Sequence, residues 1–220
     1  EIMLEPVGKN TAPAVLLSAL YSIQRDEDPL LLILPADHMI NDVQQFKLAI
    51  ESSVELANNG QLVTFGIVPE YASTQYGYIQ RDDLNSGSDR FESSNIQGFV
   101  EKPNKIKAQN YLRSGGSFWN SGMFAFKASR IISEYIKYQP ALFEICKTSL
   151  ANSAKEDGCI QIDEASFNIC PALSFDKAIM EHICKDKHAK SADVIPIKVG
   201  WRDIGTWRSL IGAYKNVLFS

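Results

Sequence analysis

A continuous apolar run, Leu30 to Leu34, and a second strand-like segment, Leu62 to Ile67, bracket a stretch in which Val43, Phe46, Ile50, Val54 and Ala57 recur at steps of three and four. Such segments suit buried strands, the first covered on both faces, and the spacing between them suits an amphipathic helix. A strand, a helix and a strand in that order imply a right-handed crossover, with helices packed on a mostly parallel sheet. The chain therefore reads as α/β. Its 220 residues, 45% of them apolar, can bury one substantial core, so residues 1–220 are expected to form a single domain.

Other segments extend the alternation. Asn10 or Thr11 can cap a helix that takes Pro13 in its first turn and runs to Ile23. Residues 82–95 are polar and read as a surface loop, 104–113 as a helix, and Phe118 to Phe126 as a strand broken at Asn120-Ser121-Gly122. Residues 129–150 read as one or two helices punctuated at Pro140, a further helix starts at Ser174-Phe175-Asp176, Val194 to Val199 is a strand, and 206–217 is a closing helix.

Chemistry gathers where strands end, which is where open α/β sheets place ligands. Gly98-Phe99-Val100-Glu101-Lys102-Pro103 delivers an acid and a base side by side before proline stops the strand. Glu101 can accept from hydroxyls while Lys102 meets a phosphate as a flexible point charge. Leu34-Pro35-Ala36-Asp37-His38 and Gly200-Trp201-Arg202-Asp203-Ile204-Gly205 each carry an aspartate at the end of an apolar run. Two hard carboxylates with one lysine suggest metal-assisted phosphoryl or nucleotidyl transfer. Taken alone, Asp37 could equally be a helix cap or turn former, Asp203 a solvated loop acid, and Glu101 and Lys102 a local ion pair. His38 reads as a hydrogen-bonded structural residue, since magnesium prefers oxygen. Trp201 and Trp207 read as core or pocket wall, and Asp176, Lys198 and Arg202 are undecided.

Net charge is −4 with acids and bases interspersed, which argues against a nucleic-acid platform. No run approaches the roughly 18 apolar residues of a membrane span. Cys146, Cys159, Cys170 and Cys184 form no C-x-x-C pair, so zinc is not indicated and reduced thiols in a cytoplasmic protein are expected.

An ordered set of motifs carries a resemblance: Glu5 to Pro13, Leu34 to His38, Thr64 to Ile67, Tyr76-Gly77-Tyr78-Ile79, Phe99 to Pro103, Phe118 to Phe124, and Trp201 to Gly205. In that order, over nearly the whole chain, they resemble the sugar-nucleotide pyrophosphorylases, and more closely the bacterial mannose-1-phosphate guanylyltransferases. The resemblance implies a Rossmann-like three-layer nucleotidyltransferase fold. It implies an enzyme that forms GDP-mannose and pyrophosphate from GTP and mannose 1-phosphate with Mg²⁺. Asp37 and Asp203 would hold the metal, Lys102 would meet the sugar phosphate, and Gly77, Glu101 and Asn120 would bind the hexose. Gly8, Asn10 and Thr11 would lie near the guanine and ribose, at a helix start whose free N–H groups and dipole favour polar or anionic ligands. Asn120 is at the same time a candidate turn or bulge residue. A pyrophosphorylase for another nucleotide or hexose 1-phosphate, and a noncatalytic nucleotide-sugar-binding regulatory protein, are the alternatives.

That family opens with a strand and a basic, glycine-rich loop, which nothing in residues 1–30 matches. The chain resembles a member lacking that N-terminal portion. Residues 1–220 alone are therefore expected to turn over little or not at all, and exposed sheet edges are expected to favour homo-oligomers.

Overall fold

In chain order, the computed structural model contains β1 (Ile2–Leu4), α1 (Thr11–Ile23), β2 (Leu30–Ile33), β3 (His38–Met39), α2 (Val43–Asn58), β4 (Leu62–Ile67), β5 (Tyr78–Arg81), β6 (Ser94–Val100) and α3 (Lys105–Ser114). There follow β7 (Ser117–Lys127), α4 (Ala128–Tyr138), α5 (Pro140–Ala151), β8 (Ala154–Glu156), β9 (Cys159–Gln161), α6 (Glu164–Phe167), a π-helical stretch (Asp176–Met180), α7 (Glu181–Lys185), β10 (Ala192–Ile197) and β11 (Arg202–Asp203). The structure describes residues 1–81, 93–186 and 192–205. The expected closing helix at 206–217, Trp207, and most of the loop expected at 82–95 lie outside the described residues; β6 already begins at Ser94.

The residues fall into two compact units, one of Glu1–Leu31, Ala57–Leu62 and Phe126–Ser191, the other of Leu32–Leu56, Val63–Ala125 and Ala192–Ser220. In the first, α1 buries Val15, Leu16, Leu17, Ala19 and Leu20. It packs on α4 and α5, and the Tyr135 hydroxyl donates to the Ala12 carbonyl at 2.7 Å. Asn10 caps α1 through Oδ1, which accepts from Thr11 N at 2.8 Å, and Pro13 sits in the first turn, where its missing N–H is harmless. A three-stranded sheet, β1-β9-β8, completes this unit.

The second unit is built around a six-stranded sheet in the order β2-β7-β4-β10-β6-β5, with β2 entering at the unit boundary. The α/β class expected from the sequence is found, but the sheet is mixed and less parallel than the strand-like segments suggest. β7 runs antiparallel to both β4 and β5, and β6 antiparallel to both β5 and β10. An apolar run reports burial on both faces and carries no information about strand direction. One face of the sheet packs on Phe46 and Ala49 of α2, in a core that includes Phe65, Tyr78, Trp119 and Ile195.

Asn120-Ser121-Gly122 does not break β7, which runs through it as a bulge. Gly66 pairs with Asn120 while Thr64 pairs with Phe124, so β7 carries the extra residues, and Gly122 takes a φ of 68°. The bulge keeps its hydrogen bonds: Ser121 Oγ donates to the Phe65 carbonyl at 2.5 Å and Thr64 Oγ1 to the Met123 carbonyl at 3.1 Å. Trp119 is left pairing with Ile67 on one side and Tyr78 on the other, which sets Asn120 beside the chain at Gly77.

Candidate functional site

The β3–β11 ribbon brings the two aspartates together. It pairs His38 with Asp203 and Met39 with Arg202, and Ile204 N donates to the Asp37 carbonyl at 2.8 Å. The two carboxylates border one point at Gly205. A Cβ there would collide with Asp37 Oδ2 and stand 3.2 Å from Asp203 Oδ1, which already accepts from Gly205 N at 2.9 Å. A side chain at 205 would have to push the Asp37 carboxylate aside, a crowding that sequence reading missed.

His38 supports this pair from one side. Trp201 Nε1 donates to His38 Nδ1 at 3.1 Å, so the proton of the neutral ring is on Nε2, which lies 4.0 Å from Asp37 Oδ1. Burial lowers the imidazole pKa, against the opposing pull of Asp37 and Asp203. This is the structural role expected of His38. No set of three or more His, Cys, Asp or Glu side chains gathers as a metal site among the described residues. Two convergent carboxylates nevertheless suit Mg²⁺, a cation that keeps several waters and takes its remaining oxygens from substrate phosphates.

The second cluster joins the end of β6 to the bulged β7. Asn120 N donates to the Gly77 carbonyl at 2.8 Å. A Cβ on Gly77 would stand 2.7 Å from Glu101 Oε2, 3.0 Å from Phe99 and 3.4 Å from the Asn120 Cβ, so any side chain here would have to displace the Glu101 carboxylate. Lys102 sits past the strand end at a φ of 44°, a left-handed conformation that a lysine rarely adopts. Its Nζ is 3.5 Å from Glu101 Oε1 and its side chain is 64% exposed, so the local ion pair exists and still leaves the ammonium open to a ligand.

A cavity of about 480 Å³ belongs to this same unit. Its wall includes Tyr71, Tyr76, Trp119 and Trp201, whose rings meet in a chain: Tyr71 to Trp119 at 4.7 Å, Trp119 to Tyr76 at 5.2 Å, Tyr76 to Trp201 at 5.3 Å. Asp203, Lys198 and Arg202 border it, which places the two undecided cations beside the aspartate. Burial foremost, with Tyr71 and Asp203 adding, pushes the Tyr76 phenol up to about 12, so it is a hydrogen-bond donor at neutral pH. Trp119 Nε1 is buried with no hydrogen-bond partner. Aromatic spacing in the sequence offered no way to tell these wall residues from core.

In the first unit, Gly8, Asn10 and Thr11 lie in the turn into α1. The expected free N–H groups are already engaged: Thr11 N binds Asn10 Oδ1, Ala12 N donates to the Leu173 carbonyl at 3.0 Å, and Pro13 has none. The Thr11 hydroxyl accepts from Phe175 N at 2.9 Å. What the turn does offer is open space around the Gly8 α-carbon and a strained Asn10, with φ 69° and ψ −169°. It also offers Glu5, which was not singled out within its motif. Burial raises the Glu5 pKa against a hydrogen bond from the Lys9 backbone, and Oε1 is buried without a partner.

The nucleotidyl transferase family profile matches residues 1–219. The chain belongs to the nucleotidyl transferase family. Mannose-1-phosphate guanylyltransferase 2 of Escherichia coli O157:H7 is 42% identical to this chain over 214 residues, which are 95% of the chain and 43% of that relative. The chain thus spans less than half the length of the curated relatives it matches. Among solved structures, one described as mannose-6-phosphate isomerase from Helicobacter pylori superposes with a TM-score of 0.75 at 32% identity, covering 91% of this chain and 73% of that one. One described as mannose-1-phosphate geranyltransferase from Thermus thermophilus gives 0.78 at 31%, covering 96% and 57%. No helix among the described residues is long and apolar enough to cross a membrane.

Proposed function

We propose that this nucleotidyl transferase forms GDP-mannose and pyrophosphate from GTP and mannose 1-phosphate. The observation that carries the reading is the convergence of Asp37 and Asp203 at Gly205 in a chain 42% identical to a mannose-1-phosphate guanylyltransferase.

In the proposed reaction a phosphate oxygen of mannose 1-phosphate attacks the α-phosphorus of GTP in line. One P–O bond forms there, the bond to the β-phosphate oxygen breaks, and pyrophosphate carries away the electron pair. No covalent enzyme intermediate is needed, so catalysis is positioning and charge stabilisation. Lys102 aligns the sugar phosphate with a mobile point charge. Glu101 Oε2, Asn120 and the backbone at Gly77 hold the hexose hydroxyls, and their mutual contact favours a preformed hexose site. Tyr76 and Trp119 offer donors and a hydrophobic wall beside it. The turn of Gly8, Asn10 and Thr11 receives the nucleoside, and Glu5 gives it a carboxylate able to accept from the adjacent N1–H and N2–H of guanine. Asp37 and Asp203 would hold Mg²⁺, which supplies positive charge to the phosphate oxygens when bound. All four cysteines are free, which supports placing the reaction in the cytoplasm.

The test is pyrophosphate release from GTP and mannose 1-phosphate with Mg²⁺, on residues 1–220 and on the longest product the gene encodes. Turnover in either form that is lost in Asp37→Ala and Lys102→Ala supports the reading. Preference for another nucleotide or hexose phosphate, or no turnover in either form with any pair, overturns it.

A further inference from the structure

The cluster at Gly77 and the carboxylate pair at Gly205 lie in the same unit, and the ring of Tyr76 stands in contact with the supports of both. Tyr76 precedes Gly77, whose carbonyl accepts from Asn120 N at 2.8 Å. Its ring meets that of Trp119, the residue before Asn120, with centroids 5.2 Å apart and planes at 54°. It also meets Trp201 at 5.3 Å and 71°. Trp201 in turn donates to His38 Nδ1, and His38 Nε2 lies 4.0 Å from Asp37 Oδ1. Asp203 acts on Tyr76 without an intermediary, since its charge is one of the causes that raise the phenol.

Trp119 and Trp201 are buried, 4% and 9% exposed, and belong to one core against which the half-buried Tyr76 packs. Rings held this closely do not turn independently. A hexose gripped at the Gly77 backbone fixes the chain next to Tyr76, and a tyrosine held in one rotamer holds Trp201 and, through it, the imidazole beside Asp37. Ordering that side chain has an entropic cost. A second ligand that finds it already ordered does not bear the cost again, so each ligand favours the other.

We propose that Tyr76 is a positioning residue that couples the two clusters: hexose phosphate bound at Gly77 tightens the hold of Asp37 and Asp203 on a divalent cation, and the cation tightens the hexose phosphate by the same factor. The inference rests on the cluster assignments made under the proposed function and adds to them a residue that works through Trp201 and Gly77. A phosphate oxygen on the cation would also link the two ligands, but that direct share does not pass through the Tyr76 ring, so variants of the ring separate the two.

Calorimetric titration with Mn²⁺, which takes oxygen ligands as Mg²⁺ does, tests it without turnover. The cation is titrated alone and in excess mannose 1-phosphate, with no nucleotide present, and the ratio of the two affinities is the coupling. Tighter Mn²⁺ by about fivefold or more is expected in the unaltered chain. Tyr76→Phe keeps the ring and should keep that ratio, whereas Tyr76→Leu should lose most of it. A uniform loss of affinity for either ligand leaves the ratio where it was, so a purely structural role for Tyr76 does not move it. Trp201→Phe, which removes the donor to His38, should also lower the ratio and gives a reading even where Tyr76→Leu fails to fold. A ratio of one in the unaltered chain overturns the proposal, as does a ratio left unchanged by Tyr76→Leu or Trp201→Phe while both ligands bind. Mn²⁺ binding indifferent to Asp37→Ala, or mannose 1-phosphate binding indifferent to Lys102→Ala, would instead remove the cluster assignments and the proposal with them.

Discussion

Trp201 donates its indole N–H to Nδ1 of His38 at 3.1 Å, across 163 residues of sequence, and the two rings meet edge to face with centroids 5.0 Å apart. The contact holds the imidazole beside Asp37, so Trp201 acts on the proposed metal pair through a neighbour. Trp201→Phe keeps a ring and removes the donor. The expected outcome is a loss of about 1 kcal/mol in stability together with a higher Mg²⁺ requirement. Denaturant melts and a Mg²⁺ titration of turnover check the two parts separately.

Gly205→Ala drives a methyl group into Asp37 Oδ2 and crowds Asp203 Oδ1. Displacing groups that orient a metal site commonly weakens metal affinity by about 10–100-fold. A rise of that size in the Mg²⁺ concentration giving half-maximal turnover is expected, with little change in the melting temperature measured without metal. An unchanged Mg²⁺ dependence would count against the assignment of Asp37 and Asp203.

Lys102 holds a backbone conformation that suits glycine. Lys102→Gly should relieve strain of about 1 kcal/mol while removing the charge proposed to meet the sugar phosphate. A more stable protein with turnover lowered by about 10² to 10³ is expected. Lys102→Arg, which keeps the charge but replaces a point ammonium by a planar fork, should recover only part of that turnover. Thermal melts beside initial-rate measurements separate the two effects.

Glu5 carries a testable pH dependence. Burial raises its folded pKa above the ordinary carboxylate value of 4.5, so the folded state holds the proton more tightly than the unfolded chain. The stability contributed by protonated Glu5 is complete below 4.5 and is lost as pH rises through the raised folded value. Glu5→Gln should therefore flatten the fall in melting temperature expected as pH rises above 4.5. At neutral pH it should weaken GTP more than ITP, which lacks the 2-amino donor; equal weakening of both would sink the guanine assignment.

Much of this was legible in the sequence because the informative residues stand at the ends of apolar runs. α1, α2, β4 and the α4–α5 break at Pro140 lie close to where periodicity and punctuation put them. The ordered motifs also led to the residues that meet at Gly77 and at Gly205. Strand direction was not legible, since burial patterns are blind to it, and neither was the passage of β7 through Gly122, because a bulge and a strand break use the same residues. Glu5 was not singled out because a carboxylate's missing partner exists only in three dimensions. The turn into α1 misled in the opposite direction, since its residue types announce open N–H groups that Asn10 and Leu173 have already engaged.

The short β3–β11 ribbon also bears on synthesis. Its strands are two residues each, and Asp37 emerges from the ribosome long before Asp203 can pair beside it. The carboxylate pair can therefore form only after all the residues between them have been made, and it requires the closure of a very long loop. A nascent chain halted before Trp201 carries every hexose-binding residue proposed here and still has no carboxylate pair. Appearance of the pair would mark the moment at which translation has delivered the whole second unit as far as Gly205.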